Sequence, residues 1–143
     1  MTDVAAIRTA LAALAETAAI TVNSTSVPIR SYDDVPTTVD PGSGVAVLIS
    51  PGAPFLTPVT LDGADDVSLN AVVVTSRSSE RSAQARLDAA AIALRDVFTS
   101  DHTTNWDFVE PGNPTAYGDY TFGSGDNALS FYGFTMALQV ATS

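Results

Sequence analysis

The sequence predicts an α/β fold of the α+β type, in which two helices flank a mixed, mainly antiparallel sheet in the order α-β-β-β-α-β-β. Two Ala-rich segments carry apolar residues at helical spacing, whereas the rest of the chain alternates short apolar runs with stretches rich in Gly, Pro and Asp. The 143 residues fit one domain, since domains most often have about 100–150 residues. We therefore expect a single domain over residues 1–143.

The first helix is predicted over Asp3–Ala19, because apolar side chains recur there at helical spacing and Ala occupies most other positions. Thr2 or Asp3 can cap its start by accepting hydrogen bonds from free backbone N–H groups. A first strand should follow over Val27–Tyr32. Pro28 places that strand at a sheet edge, or marks where it starts.

Two further strands are predicted before the second helix. Gly44–Ser50 is short, apolar and β-branched, which favours a buried strand. Val67–Thr75 has apolar residues on both faces, which is typical of a central, covered strand. Between them, Pro51–Asp66 is rich in Pro, Gly and Asp and should be mostly a loop or a hairpin arm.

The second helix is predicted over Ser78–Thr99. It has a continuous apolar stripe, and charged residues such as Arg86 lie mostly off that stripe. We expect this helix to pack on the sheet through its stripe residues, which are Ala83, Leu87, Ala90, Ala91, Leu94, Val97 and Phe98.

The C-terminal part is predicted to be β-rich. Trp106 and Phe108 alternate with polar residues, as in a half-buried strand, and Ala128–Val140 should be the last strand. Pro111–Asn127 should form a hairpin arm or a mobile loop. Because loops longer than about 12–15 residues are usually functional or disordered, this segment and the one before the central strand are the expected assembly contacts.

The charge balance excludes several functions. Sixteen acidic residues face six basic ones, all Arg, which gives a net charge of −10. Such a chain repels the phosphate backbone and anionic membranes, so we expect neither static DNA binding nor membrane docking. No apolar run reaches the roughly 20 residues of a membrane span, and no signal peptide is recognisable. The chain has no Cys for disulfides or thiolate metal sites.

Catalytic and metal-binding patterns are weak. The lone His102 lies in a polar run without a nucleophile-elbow motif, and a solvated loop residue is the simpler interpretation. Asp62, Asp65 and Asp66 are close together, but their spacing does not match a calcium-binding EF-hand loop. Gly42-Ser43-Gly44 precedes a strand instead of following one, and the chain has no Lys for a Walker loop. We therefore expect no enzyme activity, cofactor or metal.

One segment resembles a known family. Residues 75–88, Thr-Ser-Arg-Ser-Ser-Glu-Arg-Ser-Ala-Gln-Ala-Arg-Leu-Asp, are similar to a segment of the tail terminator (tail-completion) proteins of long-tailed actinobacterial phages. In that family the segment joins a central strand to the second helix. The general layout is also similar: an Ala-rich N-terminal helix, a strand block, this helix and a β-rich C-terminus with an aromatic-bearing last strand.

The resemblance implies a structural role. Proteins of this family form rings, usually hexamers, that cap the tail tube and then receive the head–tail connector. The implied partners are other copies of the chain, the major tail tube protein and the connector protein, in the neck of a virion assembled in the host cytoplasm. Arg77 and Arg81 match the family segment and are candidates for interprotomer or loop-anchoring ion pairs.

DNA would pass through such a ring without tight binding. Acidic residues on the channel wall would repel it within a Debye length of about 8–10 Å, and Asp62, Asp65 and Asp66 are the candidates for that wall. The same acids could instead keep the outside of the ring soluble. Two other functions stay open: another neck component, such as a connector, stopper or minor tail protein, and a small-ligand-binding or hydrolytic domain.

Overall fold

The computed structural model describes residues 3–32, 41, 44–58, 65–76, 80–100, 106, 108–122 and 129–142. These residues form two helices and mixed sheets, which confirms the predicted α+β class. In chain order the elements are α1 (Val4–Ala15), β1 (Thr21–Val22), β2 (Thr25–Ser26), β3 (Ile29–Tyr32), β4 (Val45–Pro58), β5 (Asp65–Thr75), α2 (Glu80–Ser100), β6 (Phe108–Pro111), β7 (Gly118–Phe122) and β8 (Leu129–Thr142).

The helix α1 begins as predicted, with the Asp3 carboxylate accepting a hydrogen bond from the Ala6 N–H at 3.1 Å. It ends at Ala15, earlier than the predicted Ala19. Local turns and the short hairpin β1–β2 follow, and Asn23 and Ser24 adopt positive φ angles of 52° and 65° at its tip. This hairpin was not predicted, because strands of two residues are too short to give an alternating pattern in the sequence.

The main sheet has the order β3-β4-β5-β8-β6, and β7 also pairs with β8. β3 runs parallel to β4, and the other pairs are antiparallel. β5 is central, as predicted, and β3 lies at an edge, as Pro28 indicated. Gly44 lies just before β4, where a Cβ would come within 1.9 Å of the Pro28 carbonyl oxygen, so only glycine allows this close approach of the two strands.

The two helices pack on one face of the sheet. On α2, Leu87 and Leu94 are fully buried in the main core, which confirms the predicted stripe. A second, smaller cluster lies on the opposite face. It consists of Ala46, Leu48, Val74 and Phe131, so β5 is apolar on both faces as predicted.

Two segments predicted to be loops or arms contribute strand. β4 continues to Pro58 and pairs with residues 65–69 of β5, which pair with β8 on their other side, so residues 51–58 are one arm of a hairpin that extends the main sheet. Its register shifts between Pro51 and Leu56. The later arm is also partly strand, since Pro111 lies in β6 and Gly118–Phe122 is β7.

The predicted half-buried strand around Trp106 needs a correction. β6 begins only at Phe108, and Trp106 is 4% exposed and belongs to the main core. The last strand, in contrast, is found close to its predicted position as β8.

Candidate functional site

The residues predicted to act in a ring are only partly described. Asp62, Arg77 and His102 lie outside the described residues. Arg81 lies in α2, and its side chain is not part of the description. The predicted interprotomer or loop-anchoring role of the two arginines therefore stays a prediction.

Asp65 and Asp66 do not form one acidic cluster, because successive residues of a strand point to opposite faces of the sheet. Asp65 shares its face with Val67 of the main core, whereas Asp66 shares the opposite face with Ser68. At the start of β5, the Asp65 N–H donates to Thr142 Oγ1 at 3.3 Å. The hydroxyl of Thr142 donates to the Asp65 carbonyl oxygen at 3.1 Å.

The sheet face opposite the helices carries a polar strip that crosses β5, β8 and β6. Its register places Ser68 opposite Gln139, and Gln139 opposite Glu110. The Ser68 hydroxyl donates to Gln139 Oε1 at 3.1 Å. Asp66 and Glu110 give this strip its two carboxylates. Glu110 was not predicted, because only the pairing of β6 with β8 places it on the same face as Asp66. We call this strip the open-face strip; its residues are Asp66, Ser68, Asn70, Glu110 and Gln139.

Arg86 anchors the junction between β5 and α2. Its Nε donates to Thr75 Oγ1 at 2.8 Å, and its Nη2 donates to the Ser76 carbonyl oxygen at 3.0 Å. The Thr75 hydroxyl donates in turn to the Gly44 carbonyl oxygen at 2.8 Å. Arg86 was predicted to lie mostly off the apolar stripe, but its side chain is partly buried. Through Thr75 it joins α2 to the end of β5 and to Gly44, just before β4.

Tyr117 links the connection between β6 and β7 to α2. Its hydroxyl donates a short hydrogen bond to Asp88 Oδ1. Its ring lies edge-on to Tyr132, with centroids 5.7 Å apart, and packs at a tilt against Phe134 at 5.9 Å. Burial, followed by the hydrogen bond to Asp88 and that residue's negative charge, raises the pKa of Tyr117 well above its usual value. This contact holds Asp88 in the helix layer, on the β6–β7 side of the sheet.

Two buried N–H groups have no acceptor in the described part of the chain: Nε of Arg8 and Nε1 of Trp106. Buried polar groups are nearly always hydrogen-bonded, so each exception needs an explanation. Trp106 lies in the main core, whereas Arg8 is half-buried on α1. Sequence reasoning passed over Arg8, although it is the only cation on an otherwise Ala-rich and apolar helix.

A shallow pocket of about 250 Å³ lies between the end of α1, the hairpin β1–β2 and the start of β3. Among the described residues, Glu16 is the only ionisable one that lines it, and the Glu16 carboxylate already accepts a hydrogen bond from the Ser31 N–H at 3.2 Å. The lining therefore offers no set of converging polar groups that would select a ligand.

Within the described ranges, no group of three or more His, Asp or Glu side chains is arranged to hold a metal ion. No helix in those ranges is both long and apolar enough to span a membrane. Neither a known protein-family model nor a curated protein sequence matches this chain.

Proposed function

We propose that the chain is a structural subunit that assembles into a ring at the end of a phage tail tube, as tail terminator proteins do. The proposal is carried by residues 75–88, the segment that resembles this family. The segment leaves the end of the central strand β5 and enters α2, which is where the resemblance puts it. Arg86, within the segment, binds both Thr75 and Ser76 and so connects its two ends.

The order of elements also supports the proposal. An Ala-rich helix is followed by a block of strands, a long helix and a β-rich end whose last strand carries Phe131, Tyr132 and Phe134. Residues 51–58 pair with β5 on one side and have no described strand on the other, so their backbone is available for contacts with neighbouring subunits or with the tube.

The net charge of −10 suits a subunit that surrounds passing DNA without holding it. We propose that the channel wall includes the open-face strip, where Asp66 and Glu110 share one face of the sheet. Asp65, which belongs to the other face, would then contribute to the fold of the arm and not to the wall. Asp62 remains a candidate for the channel wall from the sequence alone.

Electron microscopy and mass measurement of the purified protein test the proposed function. We expect discrete rings, and we expect them at the end of purified tail tubes when the two are mixed. A protein that stays monomeric at high concentration and leaves tube ends bare would contradict the proposal. Binding to the portal side with bare tube ends would instead indicate a connector or stopper.

A further inference from the structure

We infer that one border of the main sheet is closed to strand pairing with a second copy of this chain, and that the Glu16 carboxylate closes part of it. We call it the β3–β4 border; it consists of β3, the residues just before β3, and the part of β4 that extends beyond β3. An open strand edge presents unpaired N–H and C=O groups and so acts as a template for another chain. The inference goes beyond the proposed function and does not depend on it.

At β3, backbone donors that face outward are already bonded within the subunit. The Val27 N–H, just before β3, donates to the Ile20 carbonyl oxygen at 2.9 Å, and the Ser31 N–H donates to a Glu16 carboxylate oxygen at 3.2 Å. Alternate residues of an extended strand direct their N–H groups to the same side, so Ile29 directs its own outward between these two. Between Val27 and Ser31, a new strand would therefore find the N–H of Ile29 alone in place of a row of donors.

The part of β4 beyond β3 lacks donors for a different reason. The Val45 N–H donates to the Pro28 carbonyl oxygen at 3.0 Å, so Val45 faces the β3 side of β4. β4 pairs with β5 in regular register from Val45 to Pro51, and alternation therefore directs Pro51 to the same side. Proline has no N–H, so the border offers an acceptor there without a donor.

Pro58 repeats this arrangement at the far end of β4. It is paired with Asp65 of β5, whose N–H and carbonyl oxygen both bond to the Thr142 hydroxyl of β8. Because Asp65 faces β8, its partner Pro58 faces away from β5, toward the outer side of β4. Proline is tolerated in a sheet where its missing N–H would face outward at an edge.

This pattern acts against a second copy in particular. Paired strands exchange N–H···O=C bonds, so each strand has to supply donors for the other. If two copies of the β3–β4 border faced each other, both would lack donors, and carbonyl oxygens would be left opposite carbonyl oxygens. The outward carbonyl groups stay available as acceptors for side chains of a neighbouring subunit or of another protein.

Hydrogen exchange of the Ser31 N–H tests the part played by Glu16. Glu16→Ala removes the acceptor, whereas Glu16→Gln keeps an oxygen at the same position and is the matched control. Glu16 is exposed, so both variants should fold. We expect the Ser31 N–H to exchange about tenfold faster than in the wild type in Glu16→Ala, and within about threefold of the wild type in Glu16→Gln.

Analytical ultracentrifugation tests whether the border is closed. The chain with Glu16→Ala, Pro51→Ala and Pro58→Ala regains outward donors at all three places, and we expect it to form species larger than the wild type forms, with a mass that rises with concentration. In these species the Ile29 N–H should become protected from exchange. The control chain carries Glu16→Gln and Pro114→Ala, since Pro114 is exposed and lies outside the strands; it should keep the mass of the wild type.

A folded triple variant that keeps the mass of the wild type at the highest soluble concentration would overturn the inference. Unchanged exchange of Ser31 in Glu16→Ala would overturn the part assigned to Glu16. If the triple variant does not fold, the pair Glu16→Ala with Pro58→Ala takes its place, with the same two outcomes. Whether the wild type forms rings bears only on the proposed function, because every comparison here is made with the wild type in whatever assembly it has.

Discussion

Arg86 and Thr75 join the longest helix to the end of the central strand, with Arg86 Nε donating to Thr75 Oγ1 at 2.8 Å. Thr75 is completely buried, and its hydroxyl donates a hydrogen bond to the Gly44 carbonyl oxygen. One hydroxyl therefore satisfies a helix side chain and a backbone group beside the first residue of β4. The segment over residues 75–88 begins at this threonine.

Thr75→Val should lower the free energy of unfolding by about 1–3 kcal/mol, because it removes the donor to the Gly44 carbonyl oxygen and the acceptor of the Arg86 Nε bond while nearly preserving shape. Urea denaturation measures the loss. Thr99→Val is the control: Thr99 is exposed, and its hydroxyl donates to the Arg95 and Asp96 carbonyl oxygens of its own helix, so we expect a change within about 0.5 kcal/mol. Equal losses in the free energy of unfolding at both positions would show that the hydrogen bonds of the β5–α2 junction make no specific contribution to stability.

Leu87→Ala should cost about 2–5 kcal/mol, since Leu87 is 0% exposed and its removal leaves a cavity between α2 and the sheet. Leu87→Asp should prevent soluble folding, because no buried partner compensates for the charge. The control is Ile92→Asp on the same helix, where the side chain is 57% exposed. Native thermal stability of Leu87→Asp would refute the packing described for α2.

Gly133→Ala should destabilise the protein by about 1–3 kcal/mol or more, because the new Cβ would lie 2.2 Å from the Val73 carbonyl oxygen and 2.8 Å from a methyl group of Val74. The pairing of β5 with β8 would have to shift. At Gly118 no atom of the described residues, apart from its two chain neighbours, lies within 4 Å of the added carbon, so Gly118→Ala should be neutral or stabilising by about 0.4–1 kcal/mol. Thermal melting of the two variants side by side provides the comparison.

Tyr117→Phe should reduce the decrease in the free energy of unfolding that the wild type shows at alkaline pH. Burial and the neighbouring Asp88 raise the pKa of Tyr117 in the folded state above its usual value of about 10. Above about pH 10 the unfolded chain therefore releases this proton before the folded chain does, so the contribution is complete below that pH and decreases above it. We expect the free energy of unfolding to fall less steeply above pH 10 in Tyr117→Phe than in the wild type. Parallel curves would contradict the assignment.

Local patterns in the sequence determined the helices and the central strands. The stripe of α2 depends on residues three or four apart, so its burial could be predicted without knowing what packs against it. The apolar faces of β5 and β8 follow in the same way from alternation within each strand. The cap at Asp3 is equally local, because its acceptor and donor are three residues apart.

Only the tertiary structure decided which residues meet across the sheet. Residues 51–58 contain three prolines, which predict a loop, yet these residues pair with β5 as part of β4. They extend beyond β3, so this part of β4 has no described strand on its other side, a position where proline is tolerated. Asp65 and Asp66 are neighbours in sequence, but the pleat separates them onto opposite faces, and register brings Glu110 to the face of Asp66. The helix α1 ends at Ala15 although Glu16, Ala18 and Ala19 favour helix, and there the Ala12 carbonyl oxygen accepts from the Ser31 hydroxyl of β3. Contacts such as Tyr117 with Asp88 join residues 29 positions apart, and no pattern within a helix or a strand encodes a distance of that kind.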